Sequence, residues 1–130
     1  MENNIYMHDF DCFYVFKNVI QSKLKEAQQH LKKLEIYKTH PELFSTHLLN
    51  EILYIHEEQS DFITIAYKQC NVWRTQSLLL NQIEKINGLE EIIKKLETTI
   101  YHILFIIEHI QRNKDTLPHD KMEEILNIDN

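Results

Sequence analysis

Residues that allow a chain to turn sharply are almost missing from this sequence. It has one glycine, Gly88, and two prolines, Pro41 and Pro118, among 130 residues. Because glycine and proline supply most tight-turn geometries, the backbone has few places at which it can reverse direction within a few residues. Few turns imply long elements, so the sequence predicts long helices.

The first helix is predicted from the period of the apolar residues. After Asp9, which is expected to cap the helix, these residues recur at steps of three and four, the spacing of one helical face. The predicted helix runs to about Lys38. Its apolar stripe consists of Phe13, Phe16, Ile20, Leu24, Ala27, Leu31 and Leu34.

The second helix is predicted to start at the segment THPE, residues 39–42. Thr39 is placed to cap the helix, and Glu42, three residues later, can return the hydrogen bond. Pro41 falls in the first turn, where a missing N–H costs little. The segment predicts that a new helix begins at Pro41.

The apolar stripe after Pro41 keeps its phase over an unusual length. It stays within one sector of the helix as far as Leu80, across the polar segment at residues 56–61, which has neither glycine nor proline. We therefore expect one middle helix from Pro41 to about Ile86, about 46 residues and about 69 Å long. The alternative is a break near residues 57–61, which would produce a closed four-helix bundle.

The remaining boundaries follow from residues that tolerate the end of a helix. Asn87 and Gly88 both tolerate the left-handed conformation that closes helices, so the middle helix is predicted to end there. A last long helix is expected from Leu89 to about Asn113, and a short C-terminal helix near Pro118.

These lengths predict a bundle that is incomplete in one copy. A first helix of about 44 Å and the last helix would each cover only part of a 69 Å middle helix. Each half would then be a two-helix layer that needs further helices to exclude water from its apolar stripe. The predicted fold is a single domain over residues 1–130. It is an antiparallel bundle of three long helices plus a short C-terminal helix, completed by dimerisation.

Apolar residues outside the main stripes indicate where a partner packs. The middle helix carries a second line spaced by seven, which is typical of packed helix pairs. In the last helix, Tyr101 and Phe105 each lie about 160° from Ile103, so both sides of this helix are apolar. The alternative is that the C-terminal helix covers these two side chains. The predicted partner interface comprises Ile65, Val72, Leu79, Ile86, Tyr101, Phe105 and His109.

Charge and composition exclude several classes of partner. The net charge is -6 and the only arginines are Arg74 and Arg112, so nucleic acid is not expected as a partner. The longest apolar run, residues 103–107, is far below the roughly 20 residues that cross a bilayer, so no membrane is expected.

Cys12 and Cys70 are too few for a disulfide framework, and no export signal is visible, which predicts a cytoplasmic protein. The abundance of Ile, Lys and Asn is typical of AT-rich genomes, such as those of host-associated bacteria.

One pair of residues has a spacing that suits a metal ion. His47 and Glu51 stack one turn apart in the segment HLLNE. This segment resembles the HxxxE element of the hemerythrin family, four-helix bundles that hold a di-iron centre with inward histidines and carboxylates. The resemblance implies that His47 and Glu51 would be metal ligands, joined by His102 or His109. The HxxxH and HxxxxD elements of that family have no match here, and no Glu-x-x-His pair of the ferritin type occurs.

A second short pattern points to RNA. Arg112 and His119, seven residues apart, resemble the R-x(4-6)-H element of HEPN ribonucleases, helical proteins that cut RNA at a dimer cleft. The resemblance implies that these two residues would carry the cleavage. Pro118 lies between them, at a place where a helix is expected to end.

No pattern of catalytic residues stands out beyond these two. The sequence has no glycine-rich phosphate loop and no cysteine pair at metal spacing, and Cys70 and Trp73 are expected in the core. Most of the 8 histidines are expected at flanking positions, where they could make an interface respond to mild acid. We expect no catalytic residue, bound metal or cofactor. The predicted function is a non-enzymatic helical protein–protein interaction module, an adaptor, secretion-type chaperone or inhibitor, whose partners are a second copy of the chain and another protein.

Overall fold

Three long helices make up the part of the chain that the computed structural model describes, residues 9–43, 45–76 and 78–115. The elements are a 3₁₀ turn at Phe10–Cys12, helix α1 at Phe13–Thr39, a second 3₁₀ turn at Pro41–Leu43, helix α2 at Thr46–Arg74 and helix α3 at Leu80–Asp115. No strand occurs within these ranges. The prediction of an all-α bundle of three long helices is confirmed.

Helices α1 and α3 run in the same direction. The Lys85 ammonium group near the start of α3 lies 5.1 Å from the ring centroid of Tyr14 near the start of α1. Towards the other end of both helices, His102 Nε2 lies 3.5 Å from Glu35 Oε1. The two helices therefore advance side by side.

Helix α2 runs antiparallel to α3. Arg74, the last residue of α2, donates a hydrogen bond of 2.6 Å to Glu90 in the early part of α3. Tyr67, two turns earlier in α2, donates to Glu97, two turns later in α3. The topology is up, down, up.

The core is a continuous set of aliphatic side chains with one aromatic end. Ile20, Ala27 and Leu34 of α1 are fully buried at steps of seven, and α3 contributes a run of leucines and isoleucines from Ile86 to Ile110. At the end where the chain passes from α2 to α3, the Trp73 ring contacts Phe10, Phe13 and Phe16, with centroids 5.6 to 5.7 Å apart. Cys70 and Trp73 are both 0% exposed, as predicted.

The three sides of the bundle are not equally closed. Helix α3 packs directly against both α1 and α2, whereas α1 and α2 contact each other mainly through long side chains. Phe16 meets Phe62 with ring centroids 6.0 Å apart, and Lys23 reaches over the same Phe62 ring at 4.7 Å. Large aromatic and polar side chains therefore span the gap between α1 and α2.

The predicted middle helix from Pro41 to Ile86 is wrong. The chain leaves α2 after Arg74 and enters α3 at Leu80. Thr75 ends α2 through a backbone N–H and a hydroxyl that both donate to the Val72 carbonyl. A new helix starts because the Gln82 side chain accepts the N–H of Leu79, the reciprocal half of a capping box. A break at residues 57–61 is wrong as well, because these residues lie inside α2.

The start of α2 also differs from its prediction. Thr39 is the last residue of α1, where its hydroxyl donates to the Ile36 carbonyl. Pro41 opens a short 3₁₀ turn, and Ser45 caps α2 by accepting the N–H of Leu48 at 3.1 Å. The capping function therefore belongs to a serine six residues after the predicted threonine.

The last long helix starts earlier than predicted. It begins at Leu80, so Asn87 and Gly88 lie inside α3 and do not end a helix. Gly88 has no positive φ angle, and a side chain added to it would meet nothing within 4 Å. The predicted C-terminal helix near Pro118 lies outside the described residues.

Candidate functional site

The seven predicted partner residues lie in four different places. These are the exposed side of α3, the turn before α3, the partly buried side of α2 and, for Ile86, the core. Tyr101 and Phe105 are 61% and 67% exposed on α3, and His109 is also exposed. Leu79 is 69% exposed in the turn before α3. Ile65 and Val72 are partly buried on α2. The structure therefore does not bring the seven residues together on one face.

Ile86 is not available to a partner. It is 0% exposed and belongs to the core of α3. The predicted line of residues spaced by seven assumed one uninterrupted helix, and the turn after Arg74 places Ile86 on a different helix from Ile65 and Val72. Its inclusion in the partner interface is corrected.

Tyr101 and Phe105 mark the outer face of α3, the first of two candidate surfaces. They stand one helical turn apart, and Tyr101 borders a small depression formed with Ser60 and Thr64 of α2. Below them, Arg112 donates to Glu108 on the same helix at 2.5 Å. This face carries two large aromatic rings beside an ion pair.

The second candidate surface is the α1–α2 groove, a hollow lined by both helices, together with an adjoining hollow on α1. The adjoining hollow, of about 520 Å³, is lined by α1 alone, including Val15, Val19, Lys23 and Glu26. The other, of about 510 Å³, shares Lys23 and Glu26. Its lining from α2 includes Glu58, Gln59, Asp61, Phe62 and Ile65. The groove follows the side of the bundle on which the two helices are held apart.

Two histidines bridge α1 and α2 near this groove. His30 Nδ1 lies 2.8 Å from His56 Nε2, and the two rings meet edge to face at 87°. His56 is 0% exposed. Burial, and secondarily the neighbouring His30 ring, lowers the pKa of His56 to about 4. Burial also lowers the pKa of His30, opposed by the Glu26 carboxylate. Both rings are therefore neutral at pH 7 and share one hydrogen bond.

A buried glutamine forms the next bridge. Gln59 is 5% exposed, and its amide Nε2 donates to Glu26 Oε1 at 2.9 Å. Its carbonyl oxygen and the Nδ1 atom of His56 are both buried without a hydrogen-bond partner. Such orphaned atoms are uncommon in folded proteins and carry a cost on the order of 1–3 kcal/mol. The contact between α1 and α2 is thus polar and incompletely satisfied.

Sequence reasoning missed this polar bridge for two reasons. Residues 56–61 suggest a polar break, although Gln59 already fell on the apolar stripe of α2. His30 and His56 are 26 residues apart, and no local pattern shows that they meet. The signal in the sequence was Gln59, a polar residue that falls in phase with the buried residues of α2.

Among the residues that the structure describes, the predicted metal pair has no third ligand. His47 Nε2 and Glu51 Oε1 lie 3.4 Å apart, with side chains 84% and 58% exposed. Within the described residues, no group of three or more His, Cys, Asp or Glu side chains is placed to hold a metal ion. His102 pairs with Glu35 of α1 instead of approaching His47. The resemblance to hemerythrin therefore does not extend beyond one helix.

The other candidate chemical groups are equally isolated. Arg112 is exposed and engaged by Glu108, while His119 lies outside the described residues. Burial raises the pKa of the Cys70 thiol to about 12, so this sulfur stays protonated at neutral pH. Neither arrangement supplies an activated nucleophile.

Comparison with known proteins identifies no family for this chain. The chain matches no protein-family model, no curated protein and no solved structure. None of the helices in residues 9–43, 45–76 and 78–115 has an apolar stretch sufficient to cross a bilayer.

Proposed function

We propose that this chain is a non-enzymatic helical protein–protein interaction module that forms a homodimer in the cytoplasm. It would act as an adaptor, secretion-type chaperone or inhibitor by burying helix faces against other proteins. The observation that carries the proposal is the pair of aromatic rings on the outer face of α3. Tyr101 and Phe105 are exposed on the helix that forms the spine of the bundle.

The size of the exposed rings supports association. Two aromatic side chains one turn apart form a contiguous apolar strip on a helix. Covering an exposed aromatic ring contributes about 2 kcal/mol at 25 cal/mol per Å². A two-fold contact would bury four such rings, because each copy contributes the same pair.

The charges around the rings favour a second copy as the occupant. Glu108 and Arg112 neutralise each other within one helix, and Glu97, which lines the depression beside Tyr101, accepts a hydrogen bond from Tyr67. A face whose charged groups already have partners can meet its own copy with less repulsion than a face of free like charges. A strongly charged partner would gain little from this surface.

The experiment is a measurement of mass in solution. Size-exclusion chromatography with light scattering should give twice the chain mass of 15.8 kDa for the wild type. Phe105→Glu and Tyr101→Glu place a charge in the contact, and each should weaken self-association by a factor of about 100. Because both side chains are exposed, neither change should disturb the fold.

The matched control is Leu80→Glu. Leu80 is 73% exposed on the same helix, and at 1.5 Å per residue it lies about 32 Å from Tyr101. It should leave the mass unchanged. A wild-type protein of 15.8 kDa at every accessible concentration would contradict the proposal, as would equal dissociation of the Leu80 variant.

A further inference from the structure

The α1–α2 groove lies on a different side of the molecule from Tyr101 and Phe105, and it differs from that face in chemistry. From the groove's shape and charge we infer that it binds a basic amphipathic helix of another protein. This docking surface goes beyond the proposed self-association and does not depend on it.

The groove has the length of a short helix. The hollow that both helices line follows α2 from Ile55 to Ile65, about 15 Å at the helical rise, which corresponds to nearly three turns. The gap is accessible because α1 and α2 are held apart by Phe16, Phe62 and the bridging histidines. A helix laid along it would take the position of a fourth helix on a three-helix bundle.

The groove offers apolar contact mainly from α2. The partly buried Ile55, Phe62 and Ile65 line it, and Val15 and Val19 of α1, 68% and 42% exposed, continue the apolar surface in the adjoining hollow. An amphipathic helix contacts such walls through apolar residues at spacings of three, four and seven. The apolar walls therefore predict that the bound helix turns an apolar face towards the groove.

The charges of the groove predict which charged residues the bound helix carries beside its apolar face. Glu26, Glu58 and Asp61 line it, and the single lysine, Lys23, lies with its ammonium group over the Phe62 ring. The groove is therefore acidic, within a chain of net charge -6. A partner helix with lysine or arginine beside its apolar stripe is complementary, whereas a second copy of this chain would bring the same three acids into contact.

The experiment uses two designed peptides and the full-length protein. The first probe is a 14-residue helix of leucine and lysine with leucines on one face. The second has glutamate in place of every lysine. Binding is followed by NMR amide shifts. The leucine–lysine peptide should bind with a micromolar dissociation constant and shift residues along α1 and α2 that line the groove.

Charge reversal makes the test specific. Glu58→Lys combined with Asp61→Lys should weaken the leucine–lysine peptide about tenfold and allow the leucine–glutamate peptide to bind. Glu57→Lys, a neighbouring charge change outside the groove, should leave both peptides unaffected. Ile65→Ala should weaken binding of the leucine–lysine peptide to the wild type and of the leucine–glutamate peptide to the reversed protein, because part of the apolar wall is lost without a change of charge.

Several outcomes overturn the inference. Failure of the leucine–lysine peptide to bind overturns it, and so do equal affinities of the wild type for both peptides. Shifts centred on Phe105, or an effect of Glu57→Lys equal to that of the double reversal, would place binding elsewhere. If the groove variants dissociate the homodimer while Phe105→Glu does not, the occupant is a second copy. Loss of self-association alone would contradict the proposed function and leave this inference standing.

Discussion

At the scale of single residues, the contact between His30 and His56 determines how α1 and α2 are joined. The rings cannot both be protonated while they share a hydrogen bond at 2.8 Å, because two cations would then lie side by side with no acceptor between them, and burial keeps both rings neutral at pH 7. The charged groups that act on the pair are Glu26, which favours protonation of both rings, and Lys33, which disfavours protonation of His30. The stability of the contact between α1 and α2 therefore depends on pH.

This bridge predicts that the free energy of unfolding falls in mild acid. Burial lowers the pKa of His56 to about 4 in the folded chain, whereas the ordinary value of 6.5 applies after unfolding. The unfolded state therefore binds more protons between these values. Stability contributed by the neutral ring is fully present above pH 6.5 and is lost as the pH falls towards 4, by about 3 kcal/mol. Denaturant unfolding at a series of pH values measures the slope.

The control for this prediction is a histidine of the same chain that is exposed. His47→Gln removes a side chain that is 84% exposed and should leave the slope unchanged. His56→Gln should reduce the dependence of the free energy of unfolding on pH. A pH profile that is the same in the His56 variant and the wild type would contradict a role for the bridge.

At the scale of elements, the turn at residues 75–79 is made without glycine or proline. Thr75 closes α2 with two hydrogen bonds to Val72, and Gln82 opens α3 by accepting the Leu79 N–H. Arg74 then reaches back across the turn to Asn87 and Glu90 of α3. Side-chain capping and one inter-helix ion pair thus replace the usual turn residues.

The interior position of Gly88 in α3 leads to a second prediction. Gly88→Ala should raise the free energy of unfolding by about 1 kcal/mol, because alanine restricts the unfolded chain and favours the helix. The added methyl group meets nothing within 4 Å and no positive φ angle opposes it. Thermal or denaturant unfolding measures the change. Destabilisation would instead indicate that the helix ends at Gly88, as the sequence alone predicted.

At the scale of the whole molecule, the three helices of the bundle are similar in length and no helix extends far beyond the others. The predicted 69 Å helix would have outgrown its neighbours, but the chain folds into three helices that cover one another. The surfaces on which the two proposals rest are the outer face of α3 and the groove between α1 and α2. The proposed self-association rests on the exposure of Tyr101 and Phe105, and no longer on the length of one helix.

The continuity of the core predicts that the bundle unfolds as one unit. Trp73 reports on the aromatic end, while far-UV circular dichroism reports on all helices; Ile110 lies in the same buried cluster as Trp73. Tryptophan fluorescence and circular dichroism should therefore give the same denaturation midpoint at a fixed protein concentration. An earlier fluorescence transition would show that the aromatic end unfolds separately.

Much of the helical architecture was predictable because its signal is local. The apolar period of the first stripe placed Phe13, Ile20, Ala27 and Leu34 correctly in the core, and Trp73 was expected there for the same reason. The predicted interface was less accurate. Tyr101 and Phe105 are exposed, but Ile86 is buried, because its assignment required knowing where a helix ends.

By itself the sequence determined the helical class, since periodicity and the shortage of turn residues act within one segment. Only the tertiary structure decided where the chain reverses, because the apolar phase persists to Leu80 and hides a turn made by side-chain caps. It also decided that His30 meets His56 and that α1 and α2 leave a groove. These features depend on which helices become neighbours, and that choice is made by packing between residues far apart in the chain.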